Sequence, residues 1–135
     1  MSSNPGEQLK VSTRRLMLPL EIMKLNKKRI KSIQKARNLR DEGDLQKSIE
    51  EFESIITDME GPSKRVIPLL APIYDDLACV YKFVGEFDSA EKMYRKYLEM
   101  IPKVKGPDSK RSKISMEEFG NQGLAEIKIL KDKQT

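Results

Sequence analysis

Apolar residues recur every three or four positions along most of this chain, a spacing that is typical of amphipathic α-helices. No stretch of useful length alternates apolar and polar residues with period two, as a half-buried strand would. The predicted fold class is therefore all-α. The predicted helices cover residues 20–42, 45–59, 72–84, 88–101 and 115–130.

Glycine and proline mark the ends of these helices. Pro19 fits the first turn of a helix, where its missing N–H costs nothing. Asp88 with Glu91 three residues on has the spacing of a capping box and predicts the start of the fourth helix. Residues 103–113 are basic, contain Gly106-Pro107 and predict a loop, while Gly120 and Gly123 weaken the last helix.

An internal repeat connects the two central pairs of helices. Residues 39–56 and 81–98 align on Gly43 and Gly85, with an offset of 42 residues. Large apolar residues match at four positions, and the small Ser48 matches the small Ala90. Self-similarity at this period indicates an array of helical hairpins.

The repeat resembles the tetratricopeptide repeat family, a helix–turn–helix unit with small residues where its helices cross. The better copy spans residues 71–102 and the more degenerate copy spans 29–60, where Lys35 replaces the usual Leu. The resemblance implies a short solenoid of about two repeats with a capping helix at 115–130. The 42-residue spacing is similar to that of kinesin light chains. The motif residues of the better copy are Leu77, Ala78, Tyr81, Gly85, Phe87, Ala90, Tyr94 and Pro102.

Charge divides the chain into regions. Residues 8–40 hold eleven Lys or Arg and one acid, whereas residues 41–101 hold fourteen acids and seven bases. With the helical pattern, this division predicts a flexible basic arm at 1–19, a repeat domain at 20–130 and a tail at 131–135. A segregation this strong indicates an electrostatic task for the basic segment, although a solvated basic face would account for it equally well.

In the tetratricopeptide family the first helix of each repeat lines a concave groove that holds a partner segment. Carried over by position, the groove would be basic at one end and mixed at the other, which suits an acidic or amphipathic peptide. Solvation, or cover by the chain's own arm, is the competing interpretation. The candidate groove residues are Ile33, Arg37, Arg40, Asp75, Asp76, Cys79, Lys82 and Phe83.

The basic segment is a second candidate site, for an acidic protein surface. Nucleic acid would use the same charges, but residues 8–40 contain no Phe, Tyr or Trp on which a base could stack. Interfacial aromatics for a membrane surface are missing for the same reason. The candidate basic surface consists of Arg14, Arg15, Lys24, Lys27, Lys28, Arg29 and Lys31.

Catalytic and metal-binding patterns are missing from the sequence. The chain has no His and one Cys, which excludes His-based triads and the usual zinc ligand sets. Asp75 and Asp76 are adjacent, so on a helix they point in different directions, and we expect two exposed acids. Cys79 has no His to activate it and is expected to be a small buried or groove residue. No enzyme activity, metal or cofactor is predicted.

These observations predict a non-catalytic scaffold or adaptor that is a small subunit of a larger assembly. The kinesin-light-chain-like spacing implies a cytoskeletal or ciliary setting by analogy. Neither a signal peptide in residues 1–10 nor an apolar run long enough to cross a bilayer occurs, so a cytoplasmic setting is expected. An RNA-associated repeat protein using residues 10–40 is the alternative. A chaperone cofactor gripping an acidic tail with Arg37 and Arg40 is a third hypothesis.

Overall fold

A computed structural model describes residues 27–63 and 68–134 of the chain. These residues form five α-helices and two short 3-10 turns, Pro68–Leu70 and Ile101–Lys103, and contain no strand. The all-α prediction is therefore confirmed. The helices are α1 (Lys27–Asp41), α2 (Leu45–Glu60), α3 (Ala71–Val84), α4 (Phe87–Met100) and α5 (Ser109–Gln134).

Each helix packs against the next one in the chain, so α1–α2 and α3–α4 are hairpins and α5 closes the array on α4. Small residues lie at the same place in both hairpins. Ala36 and Ser48 are fully buried in the first, and the Ser48 Oγ donates to the Ala36 carbonyl at 2.8 Å. Ala78 and Ala90 are fully buried in the second. Short side chains at these points let the paired helices approach closely.

The turns inside the two hairpins have the same backbone geometry. Gly43 and Gly85 adopt the left-handed conformation, with φ of 87° and 84°. After each glycine, the next N–H donates to the carbonyl five residues back, from Asp44 to Leu39 and from Glu86 to Tyr81, both at 2.9 Å. This arrangement satisfies carbonyls that a helix end leaves unpaired, and glycine adopts it without steric cost.

Side-chain pairs arrange the helices in two layers. Arg37 and Arg40 of α1 bind Asp76 of α3, and a Lys82–Glu126 pair links α3 to α5 at 3.2 Å. The helices α1, α3 and α5 therefore lie side by side. On the other side, α2 contacts α4 through Glu60 and Lys96. This is the order expected of a helical-hairpin solenoid.

The predicted first helix is described only from Lys27 onward, and its expected residues 20–26 lie outside the described part. The bounds of α2 and α3 agree with the prediction to within one residue. The capping prediction for α4 is wrong. Glu86 occupies the N-cap position without a side-chain cap bond, while Asp88 lies in the first turn and pairs with Lys131 of α5.

The last helix differs most from its prediction. It starts at Ser109, inside the predicted basic loop, and continues to Gln134, through most of the predicted tail. Gly120 and Gly123 do not interrupt it. A Cβ atom at Gly123 would lie 2.6 Å from the Tyr94 ring, and one at Gly120 would lie 2.5 Å from the Leu98 side chain. The two glycines thus form the contact surface through which α5 reaches α4.

Candidate functional site

One face of α3 carries four residues at helical spacing, Pro72, Asp76, Cys79 and Phe83, which we call the α3 stripe. Asp76, Cys79 and Phe83 are among the residues that the sequence analysis assigned to a groove. Pro72 is buried, Asp76 is fully buried and Cys79 is 7% exposed. Phe83, one turn further, is 43% exposed. The stripe therefore changes from buried to open near the end of the helix.

A buried ion pair joins α1 to the α3 stripe. The Arg40 Nη1 donates to Asp76 Oδ1 at 2.8 Å, and both side chains are fully buried. The Arg40 Nε donates to Asp41 Oδ1 at 3.2 Å. Burying two charged side chains costs desolvation free energy. Such a pair is stable only where well-aligned hydrogen bonds offset that cost. Ile33, one to two turns earlier on α1, is also buried.

Arg37 provides a second donor to the same carboxylate. Its Nε donates to Asp76 Oδ2 at 3.1 Å, and its side chain is 21% exposed. The two Nη2 atoms of Arg37 and Arg40 are buried and have no hydrogen-bond acceptor among the described residues. Asp76 is thus held by two guanidinium groups, each of which retains donor capacity.

Asp75 is also fully buried, on the α4 side of the stripe. The Cys79 Sγ donates to its Oδ1 at 3.6 Å, and the Tyr94 hydroxyl lies 3.6 Å from the same sulfur. The expectation of two exposed acids is therefore wrong, because helices on either side cover them. The expectation that the adjacent carboxylates point apart holds, since Asp76 faces α1.

Burial raises the pKa of the Cys79 thiol, and the negative charge of Asp75 raises it further. A thiol kept protonated is a poor nucleophile. Cys79 is therefore a buried packing residue, as the sequence predicted. Within residues 27–63 and 68–134, no group of acidic or Cys side chains could hold a metal ion.

The remaining groove candidates lie at the open end of α3. Lys82 is 19% exposed and pairs with Glu126, and Phe83 is exposed to solvent. Of the eight predicted groove residues, Arg37, Lys82 and Phe83 reach the surface. The other five, Ile33, Arg40, Asp75, Asp76 and Cys79, are buried.

The predicted basic surface is described in part. Lys27, Lys28 and Lys31 are exposed on α1 and form no ion pair with a described residue. Arg29 pairs with Asp58 of α2 at 3.3 Å. The other candidates, Arg14, Arg15 and Lys24, lie outside the described residues. The three exposed lysines therefore form the described part of this surface.

A polar cluster between α2 and α4 escaped the sequence analysis. Tyr74 donates its hydroxyl to Glu60 Oε2 at 2.6 Å, and Lys96 Nζ donates to the same oxygen at 2.8 Å. The cluster borders a cleft of about 310 Å³ whose lining includes Leu77 and Met93. Glu60 is the last residue of α2, where the helix dipole disfavours a carboxylate. A carboxylate at that end of a helix indicates that another group stabilises it, and this was the signal in the sequence for a buried hydrogen-bond partner of Glu60.

The geometry defines a class first: a helical-hairpin repeat protein, with two matching hairpins and a closing helix. Comparison with family models adds that residues 71–104 match the tetratricopeptide repeat. The second hairpin is a tetratricopeptide repeat, and repeats of this family bind other proteins. Neither the curated proteins nor the solved structures gave a match. None of the helices in the described ranges has the length and apolar character needed to cross a membrane.

Proposed function

We propose that this protein is a non-catalytic interaction scaffold in the cytoplasm and a small subunit of a larger assembly. The observation that carries the proposal is the tetratricopeptide repeat at residues 71–104, in a solenoid that ends on an unpaired helix. Arrays of this kind usually need about three repeats to bury a continuous core. Two hairpins and one helix fall short, so a partner would complete the packing.

Two surfaces support partner contact. The open end of α3 offers Phe83, with Lys82 next to it in the chain, to an acidic or amphipathic segment, and Arg37 lies about two turns away at Asp76. An exposed aromatic ring beside cations is a common type of interaction hot spot. The exposed lysines of α1, with Lys27 and Lys28 at its start, suit an acidic protein surface.

The cytoskeletal or ciliary setting is part of the same proposal and depends on the 42-residue spacing alone. The identity of the bound partners would decide whether the setting is cytoskeletal or ciliary. The chaperone-cofactor hypothesis has less support, because Arg40 is buried and bound to Asp76. An incoming acidic tail would have to displace that carboxylate first.

The first test is native purification of the tagged chain at about physiological salt, with and without nuclease, and mass spectrometry of what is retained. We expect a defined set of proteins that persists after nuclease treatment. Co-purifying RNA, with loss of the protein set on digestion, would contradict the scaffold and support the RNA-associated alternative. Its structural basis would be the three exposed lysines of α1, and binding would then fall steeply with salt.

A second test separates the two surfaces. Phe83→Ser should weaken retention of a groove partner by about tenfold, since an exposed aromatic contact is lost without disturbing the core. Ile114→Ser is the matched control, because Ile114 is 53% exposed near the start of α5, twelve residues before the Glu126 that pairs with Lys82. Equal effects of both variants would show that Phe83 has no special role. Charge reversal of Lys27, Lys28 and Lys31 tests the basic surface, with reversal of Lys105, Lys128 and Lys133 as its control.

A further inference from the structure

Helix α5 exposes a surface that the first helix of each hairpin buries. The segment 121–127 resembles residues 74–80 in sequence, and Ala125 takes the place of Ala78. Ala78 is fully buried in the hairpin with α4, and so is Ala36, which holds the same place in the hairpin with α2. Ala125 is exposed. Of the small residues at this place in the described helices, that of α5 is therefore the one left uncovered.

The position of Ala125 is opposite the contact between α5 and α4. Gly123 lies against the Tyr94 ring of α4, and Ala125 follows two residues later, about 200° further around the helix. Asn121 and Ile129 lie one turn to either side of Ala125 on the same face, and both are exposed. Ile129 is the more open of the two apolar residues there, with 55% of its surface exposed. We call Asn121, Ala125 and Ile129 the outer α5 face.

The two hairpins show which group covers such a position. In the first, α2 brings Ser48 to Ala36, and the Ser48 Oγ donates to the Ala36 carbonyl at 2.8 Å. In the second, α4 carries Ala90, and both Ala78 and Ala90 are fully buried. Short side chains on both helices let the helix axes approach closely. The group that fits over Ala125 is therefore an antiparallel α-helix with Ala, Ser or Gly where the two helices cross.

Two acids beside the outer α5 face indicate the charge of that helix. Glu117 and Glu118 lie about two turns before Ala125, are exposed, and form no ion pair with a described residue. A helix antiparallel to α5 brings its last turn to these acids. Lys or Arg in that turn interacts favourably with the carboxylates and with the negative end of its own helix dipole. We propose that the outer α5 face docks such a helix, amphipathic and basic in its last turn, from a partner protein.

This docking deepens the proposed scaffold function and rests on it. The incoming helix would form a third hairpin with α5 and bury Ile129, which brings the array to the three repeats that a continuous core usually needs. The partner is then a structural part of the solenoid and not a segment held in its groove. Because it binds the folded chain, its presence should also raise the thermal midpoint of unfolding.

The probe can be taken from the chain itself, because α4 is the helix that covers Ala78. It is a fluorescein-labelled peptide of residues 85–102 with Glu99→Lys, which supplies the basic last turn that α4 lacks. Titration with the full-length protein, followed by fluorescence anisotropy, should give saturable binding with a Kd below about 100 μM. The peptide that keeps Glu99 should bind about threefold to tenfold more weakly, since its carboxylate meets those of Glu117 and Glu118.

Substitutions at the crossing test where the peptide binds. Ala125→Phe places a bulky ring on an exposed position, so it should weaken binding about tenfold or more while the thermal midpoint of the free protein is preserved. Ser115→Phe adds the same ring at an exposed position of α5 before the outer face and should leave the Kd unchanged. A peptide with Ala90→Leu should lose affinity to the same extent as the Ala125 variant.

The outcomes that overturn the proposal are specific. They are no saturable binding of the basic peptide, equal effects of Ala125→Phe and Ser115→Phe, or full affinity of the Ala90→Leu peptide. Self-association of the full-length protein that Ala125→Phe abolishes would assign the face to a second copy and overturn it as well. Each of these leaves partner retention in the Phe83→Ser experiment unaffected, so the scaffold function is tested separately.

Discussion

At the residue scale, the contact between Arg40 and Asp76 is the most demanding interaction in the described part of the chain. Both side chains are fully buried, and Asp76 also accepts from Arg37. A buried charge that loses its partner cannot be compensated by water. The pair therefore links α1 to α3 and acts together with the packing of α2 on α3 to position the first hairpin against the second.

Asp76→Asn should lower the free energy of unfolding by about 3–5 kcal/mol, because the buried Arg40 guanidinium loses its fully buried counter-charge and keeps only the partly exposed Asp41. Asp58→Asn is the matched control. Asp58 pairs with Arg29 at the surface with 68% of its side chain exposed, and its loss should cost under about 1 kcal/mol. Urea denaturation of both variants measures the difference. Equal losses would mean that the buried pair makes no special contribution.

At the scale of elements, the packing of α5 on α4 depends on two missing side chains. The Tyr94 ring occupies the place of a Cβ atom at Gly123, and the Leu98 side chain occupies that of Gly120. Helix propensity alone favours alanine over glycine by about 1 kcal/mol. Steric overlap acts in the opposite direction, and against a buried ring it is the larger effect.

Gly123→Ala should therefore destabilise the protein by about 1–3 kcal/mol, although alanine is the better helix former. Gly120→Ala should cost less, because the tip of the Leu98 side chain yields more easily than the Tyr94 ring. Gln122→Ala, at an exposed position of the same turn, is the control and should be neutral or slightly stabilising. Thermal unfolding followed by circular dichroism ranks the three. A stabilised Gly123 variant would contradict the packing argument.

The elements that sequence predicted well are those whose signals are local. Gly43 and Gly85 end helices in a conformation that glycine favours, and the apolar spacing between them gives both hairpins. The start of α5 could not be predicted in this way, because Gly106-Pro107 indicates a loop there and the bases that follow are disfavoured by the dipole at a helix N-terminus. The burial of Asp76 could not be predicted from the local sequence either. Its partners Arg40 and Arg37 lie 36 and 39 residues away in the sequence.

At the scale of the whole molecule, all four tyrosines belong to one connected core. Burial raises the pKa of each phenol above its ordinary value of 10.0. For Tyr74, the hydrogen bond to Glu60 adds to this effect. The folded state therefore keeps these groups protonated where an unfolded chain would ionise them.

The raised pKa values of the tyrosines determine how the stability of the fold changes at alkaline pH. A pKa raised by folding gives stability that is fully present below the unfolded value and is lost as pH rises beyond it, so stability should fall above about pH 10. We expect tyrosinate absorbance near 295 nm to appear together with loss of the helical signal, in one transition. Tyrosinate that forms near pH 10 while the helices stay intact would contradict this.

The glycine contact on α5 also has a mechanical consequence. Sliding α5 by one turn along α4 would bring Phe119 or Ile127 to the place of Gly123, against the Tyr94 ring, and neither side chain fits there. The register between the two helices is therefore locked. Its 26 residues make α5 about 39 Å long, against about 21 Å for the 14 residues of α4. A force applied at the Ser109 end would therefore rotate α5 together with the repeat on which it packs, and would not slide α5 along α4.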